Sequence, residues 1–377
     1  MKKFPFHLLI PLALLLLAAG LYIHHYVTFV HTPPALSDKE KRMVDTLFTT
    51  TKAQCVGRYV FEVPTSFENT LTDRARINEV SISSKRLYRP AFVQRIRLRE
   101  EALQNGHTVR AVDQPFLKQV YRVSENAVIF DRNQNESVGG VFRILEGHLY
   151  VDGVAFILTQ EILDYSDPRF AKERAFYLRD EAGRPAWMAN NKPQKLAELQ
   201  DLMSRLSGRK DDEIPTQPGT CISQGFIRDG SAKSKEDISF IYPHNPVFSF
   251  TVWSNNHLKE STNMLERSGE IQSYISSING RTLRKGKTQI AGFDTSEWLI
   301  TAPPEKSSDN SPGQSQLLFS AVANEKTADF RHPNLDLTLS NEILPTGSGS
   351  LSTYSDSELV EIWDRITGSF RLRNNAF

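Results

Sequence analysis

Short runs in which apolar and polar residues alternate recur along most of the chain, and they predict a protein built mainly from antiparallel strands. In "GRYVFEVP" (57–64), Tyr59, Phe61 and Val63 fall on one face of the predicted strand, and "VFSFTVW" (247–253) alternates over its whole length. Polar residues such as "SEN", "NQNES" and "EG" are the predicted turns between strands of the first half. The other strand-like runs are "KQVYRV", "AVIFDR", "GVFRIL", "HLYVDGVAFIL", "CISQGFI", "DISFIYP", "RTLRKGKTQIAGFDTSEWLITAP", "QLLFSAVAN" and "NLDLTLS".

Four segments carry apolar residues at helical spacing instead, so we expect helices there. The C-terminal one begins after Ser355, and Ser355 with Glu358 has the S-x-x-E spacing of a capping box. The four predicted helices are 90–106, which ends at Gly106; 195–208, with Gly208 as its C-cap; 257–279; and "SDSELVEIWDRITGSF" near the C-terminus.

Two polar segments divide the chain. Residues 31–44 look like a spacer, and residues 208–219, rich in Gly, Pro, Asp and Thr, have the composition of a linker. We therefore predict an N-terminal domain at 45–207 and a C-terminal domain at 220–377. Each runs from strands through a helix and several antiparallel strands to a closing helix, so the predicted fold class is α+β with two similar domains. Residues 304–315 and 345–352 are predicted surface loops.

The first thirty residues are the most apolar part of the chain. After Lys2 and Lys3, the run from Phe4 to Ile23 is uncharged, and twenty helical residues span about 30 Å, the thickness of a bilayer core. Residues 1–30 are therefore predicted to be an uncleaved membrane anchor or a cleaved signal peptide. Because the lysines precede the apolar run, the positive-inside rule places the rest of the chain outside the cytoplasm.

Charge and motifs argue against several classes of function. Residues 1–30 hold two of the 45 basic residues and no acidic one, so 43 basic residues face 44 acidic ones in the remainder. This balance gives no general attraction to nucleic acid. The sequence contains neither the H-E-x-x-H or paired C-x-x-C spacing of zinc sites nor a G-x-S-x-G nucleophile elbow. We expect no catalytic residues, no metal and no cofactor, and hence not an enzyme.

Two groups of candidate residues have a simpler interpretation. "GRTLRKGKT" (280–288) has five residues between Gly280 and Gly286, where a phosphate-binding loop needs four. We predict a basic β-hairpin whose cations face water: Arg281, Arg284, Lys285 and Lys287. The histidines beyond the spacer are not spaced like metal ligands and are expected to be solvated or in the core: His107, His148, His244, His257 and His332.

The chain has two cysteines, Cys55 and Cys221. Cys55 has Lys52 and Arg58 nearby but no assignable histidine partner, and a strand follows it instead of a helix, so a nucleophilic role is disfavoured. Two alternatives stay open. Each cysteine is a free buried thiol, or the two are joined by a disulfide that an oxidising compartment would permit.

The motif "CVGRYVFEVPTSF" (55–67), just after a membrane leader, resembles the N-terminal region of type VI secretion lipase-immunity proteins. In these proteins Cys, Gly and Arg precede an alternating strand that ends in Pro, as Cys55 to Pro64 do here. The segment "TCISQGFI" (220–227) is similar to the start of their C-terminal domain, with Ser223 and Gln224 where the family has an Asp-Gly pair. "FIYPHNPVFSFTVW" (240–253) then supplies the strand, turn and strand of that family.

The resemblance implies a two-domain periplasmic protein that binds a cognate phospholipase toxin and neutralises it by occlusion, with the inner membrane contacted through residues 1–30. Trp187 and Trp253 are candidates for partner contacts by residue type alone. The alternative interpretation is a membrane-tethered structural or sensor protein of the envelope that binds a small ligand or another envelope component.

Overall fold

The structure is a computed structural model that describes residues 34–69, 73–179, 185–244, 247–303, 316–341 and 354–377. The predicted leader (1–30) and the predicted loops at 304–315 and 345–352 lie outside the described residues. Of the predicted spacer (31–44), residues 34–44 are described. Within the described part, helices and mostly antiparallel sheets pack together, which confirms the predicted α+β class.

The described residues contain six α-helices and eighteen strands. The helices are α1 Asp38–Leu47, α2 Arg89–Gln104, α3 Ala171–Arg179, α4 Lys192–Arg205, α5 Ser268–Ser277 and α6 Asp356–Gly368. The strands of the first half are β1 Thr51–Val56, β2 Tyr59–Pro64, β3 Arg74–Ile77, β4 Val80–Arg86, β5 Leu117–Ser124, β6 Ala127–Asn133, β7 Phe142–Val151, β8 Val154–Leu163 and β9 Leu206–Gly208. Those of the second half are β10 Gly219–Ile222, β11 Gly225–Arg228, β12 Glu236–His244, β13 Phe248–Asn255, β14 Arg281–Ile290, β15 Phe293–Ala302, β16 Gln316–Ala323, β17 Asn334–Ser340 and β18 Arg371–Leu372.

One twelve-stranded sheet runs through both halves of the chain, in the order β14-β15-β16-β17-β13-β12-β3-β4-β8-β7-β6-β5. The halves join where β12 pairs antiparallel with β3, so that Glu236 lies opposite Ile77 and Ser239 opposite Arg74. Two three-stranded sheets, β1-β2-β18 and β10-β11-β9, complete the fold. Because backbone hydrogen bonds cross from one half to the other, the two halves share one continuous frame.

In the first half, α2 and α4 cover opposite faces of the sheet. Neighbouring residues of a strand point to opposite faces, and Glu146 of β7 binds Arg99 of α2 whereas Gly147 lies under Met203 of α4. A Cβ at Gly147 would stand 3.1 Å from the Met203 sulfur, so the small residue permits the close approach of α4. The predicted turn at these two residues is therefore wrong, since both lie in the middle of β7.

In the second half, β1 and β2 pack on the sheet although they come from the start of the described chain. Phe61 of β2 stacks on Phe370 and makes an edge contact with Tyr242 of β12, at centroid distances of 5.0 and 5.5 Å. Trp363 of α6 meets Phe250 of β13 in the same core. The first strands of the chain thus complete the core of its second half.

Helix α1 packs against α6, and the contact is polar as well as apolar. The Ser355 hydroxyl donates to Glu40 at 2.6 Å, and Arg365 pairs with Asp45 at 2.7 Å. Ser355 also caps α6 in the predicted capping box with Glu358. This sequence prediction is confirmed, because the signal for a helix start is local.

Two helix predictions differ from the structure. Helix α4 ends at Arg205, and Leu206–Gly208 forms strand β9, paired with β11. Gly208 is therefore no C-cap; a Cβ there would lie 2.8 Å from the carbonyl oxygen of Val151. The segment 257–279 is helical only at Ser268–Ser277, because side chains hold its first part in turns, as when Glu325 accepts from the Met264 amide.

We expect Trp363→Ala to lower the free energy of unfolding by about 3–5 kcal/mol, because it leaves a large cavity in a core of aromatic rings. It also removes the donor that the buried Glu297 carboxylate accepts at 2.8 Å. Urea unfolding followed by fluorescence measures the change. Trp187→Ala is the matched control, since Trp187 is exposed, and should change the value by less than about 0.5 kcal/mol. Equal effects of the two substitutions would contradict this account of the core.

Candidate functional site

The cysteine motif lies at the junction between the two halves. Cys55 and Cys221 are both buried and are joined by a disulfide, with an Sγ–Sγ distance of 2.01 Å and a Cα–Cα distance of 5.8 Å. Next to the bond, the Gly57 amide donates to the Cys221 carbonyl and the Cys221 amide donates to Gly57, at 3.0 and 2.7 Å. A sulfur held in this bond is not available as a nucleophile.

The Gly-Arg pair of the motif forms the tight turn between β1 and β2. Val56 lies opposite Tyr59 in the ladder, which leaves Gly57 and Arg58 as a two-residue loop. Gly57 has φ of 57°, a conformation that glycine adopts without steric cost. The turn places Arg58 against β-strands and loops of the second half.

Arg58 is the centre of an ion cluster in which Arg58 and Glu236 are buried and the side chain of Asp229 is 30% exposed. Its guanidinium donates to Asp229 at 2.6 and 3.0 Å and to Glu236 at 2.5 and 3.3 Å. The rings of Phe330 and Phe377 lie 4.4 and 4.8 Å from its central carbon. Burial opposes the charge of Arg58, but the two carboxylates more than offset it and raise its pKa.

Burial raises the pKa of the Glu236 carboxyl, and the adjacent Arg58 opposes that shift. Glu236 is also the first residue of β12, and it lies opposite Ile77 of β3 in the pairing that joins the two halves. The cluster therefore ties the first hairpin of the chain to the strand through which the two halves share their sheet.

A second buried arginine, Arg209, binds backbone carbonyls around the disulfide. It donates to the carbonyl oxygens of Cys55, Ile222 and Gly225 at 3.0, 3.2 and 2.9 Å. Burial lowers the pKa of this guanidinium. Arg209 lies in the segment predicted as a linker, and it connects that segment to β1, β10 and β11.

A third arginine, Arg373, holds the other end of the same segment. It donates to the carbonyls of Pro215, Gln217 and Gly219 at 2.7, 2.8 and 2.7 Å. Its own backbone amide donates to Arg58 at 2.9 Å. Burial, together with the nearby charge of Arg58, lowers the pKa of Arg373 to about 10.

The chemistry of this junction is that of a structural joint. Its guanidinium groups are occupied by carboxylates and carbonyls, and in the described residues no three His, Cys, Asp or Glu side chains lie close enough together to hold a metal ion. The structure brings Cys55, Cys221 and Arg58 together, and of the two alternatives left open for the cysteines it shows the disulfide. Asp229, Glu236, Arg209 and Arg373 were missed, because they lie far from Cys55 in sequence and follow no spacing rule.

The five candidate histidines are spread over the described molecule. His148 is buried and contacts Glu146 at 2.8 Å, and His244 stacks on Phe67 and lies at a tilt against Phe248. Burial lowers the pKa of both His244 and His257. The others are exposed; His332 pairs with Asp329 at 3.1 Å.

The segment "GRTLRKGKT" forms a hairpin arm, β14, as predicted, but its cations do not all face water. Arg284 is bound to Glu297 at 2.6 Å and to Asp364 at 2.9 Å, and the Lys285 ammonium lies 3.8 Å from the ring centre of Trp298. That part of the prediction is wrong, because β15 and α6 supply carboxylates and a ring that no local pattern shows.

The two tryptophan candidates differ in the structure. Trp253 is half-buried in β13, and its indole nitrogen donates to Asp237 at 2.6 Å. Trp187, in a short turn before α4, is 58% exposed. Trp187 therefore stays a candidate for contact with a partner.

Comparison with known proteins identifies the class. A family model described as the N-terminal domain of Tle cognate immunity protein 4 matches residues 52–209, and the model of the C-terminal domain matches residues 213–375. The protein is therefore an immunity protein and not an enzyme. It belongs to the Tle cognate immunity protein 4 family, which confirms the resemblance seen at "CVGRYVFEVPTSF".

Solved structures share the fold. The apo structure of the immunity protein TplEi of the type VI secretion system from Pseudomonas aeruginosa is 19% identical, with a TM-score of 0.65 over 86% of this chain and 97% of that one. A structure of the Tle4–Tli4 complex matches at 18% identity and a TM-score of 0.66, over 86% and 98%. TplEi complexed with "L" peptide matches at 19% identity and 0.61, over 86% and 99%.

No curated protein sequence matches the chain significantly. Among the described residues, every helix is too short or too polar to cross a membrane. The predicted anchor lies before them.

We expect the double variant Cys55→Ser/Cys221→Ser to be less stable than the oxidised protein by about 5 kcal/mol, because the bond closes a loop of 166 residues. Urea unfolding gives the difference. Thiol titration of the oxidised protein in denaturant should find no reactive thiol. Two titratable thiols per chain would contradict the bond.

We expect Arg58→Met to destabilise the protein by about 3–5 kcal/mol, because it leaves Glu236 and Asp229 without their cation. Adding Glu236→Gln to Arg58→Met should recover part of the loss, since an amide needs no counter-ion. A double-mutant cycle in urea measures the coupling between the two residues. Strictly additive losses would mean that the two side chains do not stabilise each other.

Proposed function

We propose that this immunity protein neutralises its cognate type VI secretion phospholipase effector by occlusion, outside the cytoplasm and tethered to the inner membrane by residues 1–30. The observation that carries the proposal is the match to both domains of the immunity family, over 52–209 and 213–375. In this proposal the effector is the type VI secretion phospholipase against which the family protects the cell.

The rigid junction supports inhibition by binding. A protein that occludes its partner needs a preformed surface, because ordering a flexible one during association weakens binding. Here the shared sheet, the disulfide and the three buried arginines fix the two halves to each other. A surface on either half therefore keeps its position relative to the other half.

The tether is supported by the sequence. An apolar run of twenty residues after two lysines is long enough for an anchor. An immunity protein held at the membrane surface would meet a phospholipase where its substrate lies. This position would raise the local concentration of the inhibitor without any further contact.

We expect the full-length chain to protect a sensitive Gram-negative strain from its cognate type VI secretion phospholipase, when that effector is directed to the periplasm. Colony counts measure protection, and co-purification measures the complex. A version without residues 1–30 should stay in the cytoplasm and fail to protect, although it binds the effector once purified. Protection by that cytoplasmic version would contradict the proposed location, and absence of a complex would contradict occlusion.

A further inference from the structure

A small cavity lies where the first half of the chain meets the hairpin of β10 and β11. Its volume is about 30 Å³, which leaves room for one or two water molecules. One wall comes from β3, β4 and Asp73, and the other comes from Ile222 and Ser223 at the β10–β11 turn. The Ser84 hydroxyl of β4 donates to the Ser223 carbonyl at 2.7 Å and so joins the two walls.

Asp73 is the only ionisable side chain among the described residues that line this cavity. It directly precedes β3 and stands at the end of the ladder between the two halves, in which Arg74 lies opposite Ser239. Both oxygens of its carboxyl group are buried, and neither makes a hydrogen bond of normal geometry within the described residues. The same is true of the Ser223 hydroxyl. A buried carboxylate in this position is costly, because it has lost water without gaining a full set of donors.

The neighbours of Asp73 do not compensate for its charge. Burial raises the pKa of this carboxyl to about 6, and the nearby carboxylate of Asp211 adds to the shift. Weak polar contacts with Ser223, Asn69 and the backbone amide of Ile241 offset the burial only in part. The proton is therefore held more tightly here than on an exposed aspartate.

The cations around the cavity are engaged elsewhere. The Arg209 guanidinium donates to backbone carbonyls, and Arg86 of β4 donates to the carbonyl of Arg209 itself at 2.5 Å. Arg74 is exposed, and as the next residue of the strand it points to the opposite face of the sheet. From β12 comes the buried Tyr242 hydroxyl, whose pKa is kept well above its usual value by burial and by the charge of Asp73.

We infer that Asp73 makes the joint between the two halves sensitive to acidity: the joint is tighter when this carboxyl is protonated and looser when it is ionised. In the neutral form, the O–H group can donate to the Ser223 hydroxyl or to a water molecule in the cavity. In the charged form, the carboxylate needs a hydration shell that a cavity of this size cannot hold. The inference is independent of the proposed function, because it concerns the packing of this chain alone.

The direction of the effect follows from the two protonation equilibria. A carboxyl whose pKa is higher in the folded protein than in the unfolded chain favours folding at low pH. This contribution is lost as the pH rises through the folded-state value, here about 6. Because an unperturbed aspartate has a pKa of about 3.9, Asp73 alone should make the folding equilibrium constant about tenfold larger at pH 5 than at pH 7.5.

The test is urea unfolding of the full-length chain and of its Asp73→Asn variant at these two pH values and constant ionic strength. Burial also raises the pKa of Asp131, Glu236 and Asp336, so the informative quantity is the comparison of the two chains. We expect the folding equilibrium constant of Asp73→Asn, divided by that of the unmodified chain, to be about tenfold larger at pH 7.5 than at pH 5.

Asp212→Asn is the matched control. Asp212 is an exposed aspartate in the segment between the two halves, and an exposed carboxylate is hydrated in the folded and in the unfolded state. Its ratio to the unmodified chain should therefore agree at the two pH values within about twofold. If the ratio for Asp73→Asn is also the same at both pH values, Asp73 does not couple protons to the joint and the inference is overturned.

A second variant decides the matter if Asp73→Asn does not fold. Asp211→Asn keeps Asp73 but removes the neighbouring carboxylate that opposes its ionisation. Its folding equilibrium constant relative to the unmodified chain should be larger at pH 7.5 than at pH 5, by a smaller factor than for Asp73→Asn. A ratio that does not change with pH would overturn the inference in this case too.

Discussion

The architecture depends on the contact of Arg58 with Asp229 and Glu236. The two carboxylates lie 171 and 178 residues from Arg58 in sequence, and the buried Arg58 and Glu236 would each be costly to bury alone. Together they satisfy one another, so the turn that carries Arg58 can sit inside the molecule instead of facing water. The disulfide lies beside this turn. Arg209 binds the carbonyl of Cys55, and the amide of Arg373 binds the carbonyl of Arg58. Together these contacts hold the two halves in a rigid frame, which suits a protein that acts by binding.

The boundary between the two halves of the sequence does not coincide with a boundary in the packing of the folded molecule. The family models divide the chain between residues 209 and 213. In space, however, β1 and β2 complete the aromatic core around Trp363, and β3 continues the sheet of β12. An exchange of this kind makes the stability of each half depend on residues of the other. It explains why a segment with the composition of a linker contains a buried arginine.

Local signals made part of this structure predictable. Alternation located most strands, and the capping box placed the start of α6 correctly, because both reflect contacts within a few residues. The β9 strand was not predictable, since the helical spacing that ends at Leu206 is overridden by pairing with β11. Glu146 was predicted to lie in a turn, because the sequence around it does not show its partners. They are Arg99 of α2, Arg132 of β6 and His148 of the same strand. Residue type alone suggested Trp187 and Trp253 as partner contacts, and only the fold shows that Trp187 is exposed while Trp253 is half-buried.

The distance in sequence between the partners of the joint affects how the molecule can form. Arg58 binds the carbonyl of Ala376, 318 residues further along, and β18 pairs with β2. During synthesis the region around Cys55 is made long before these partners. Until they arrive, the hairpin has apolar and charged groups without neighbours, and contacts of such separation form slowly. Residues 371–376 are among the last to be synthesised, so the contacts around Arg58 cannot be complete until the whole chain has been made.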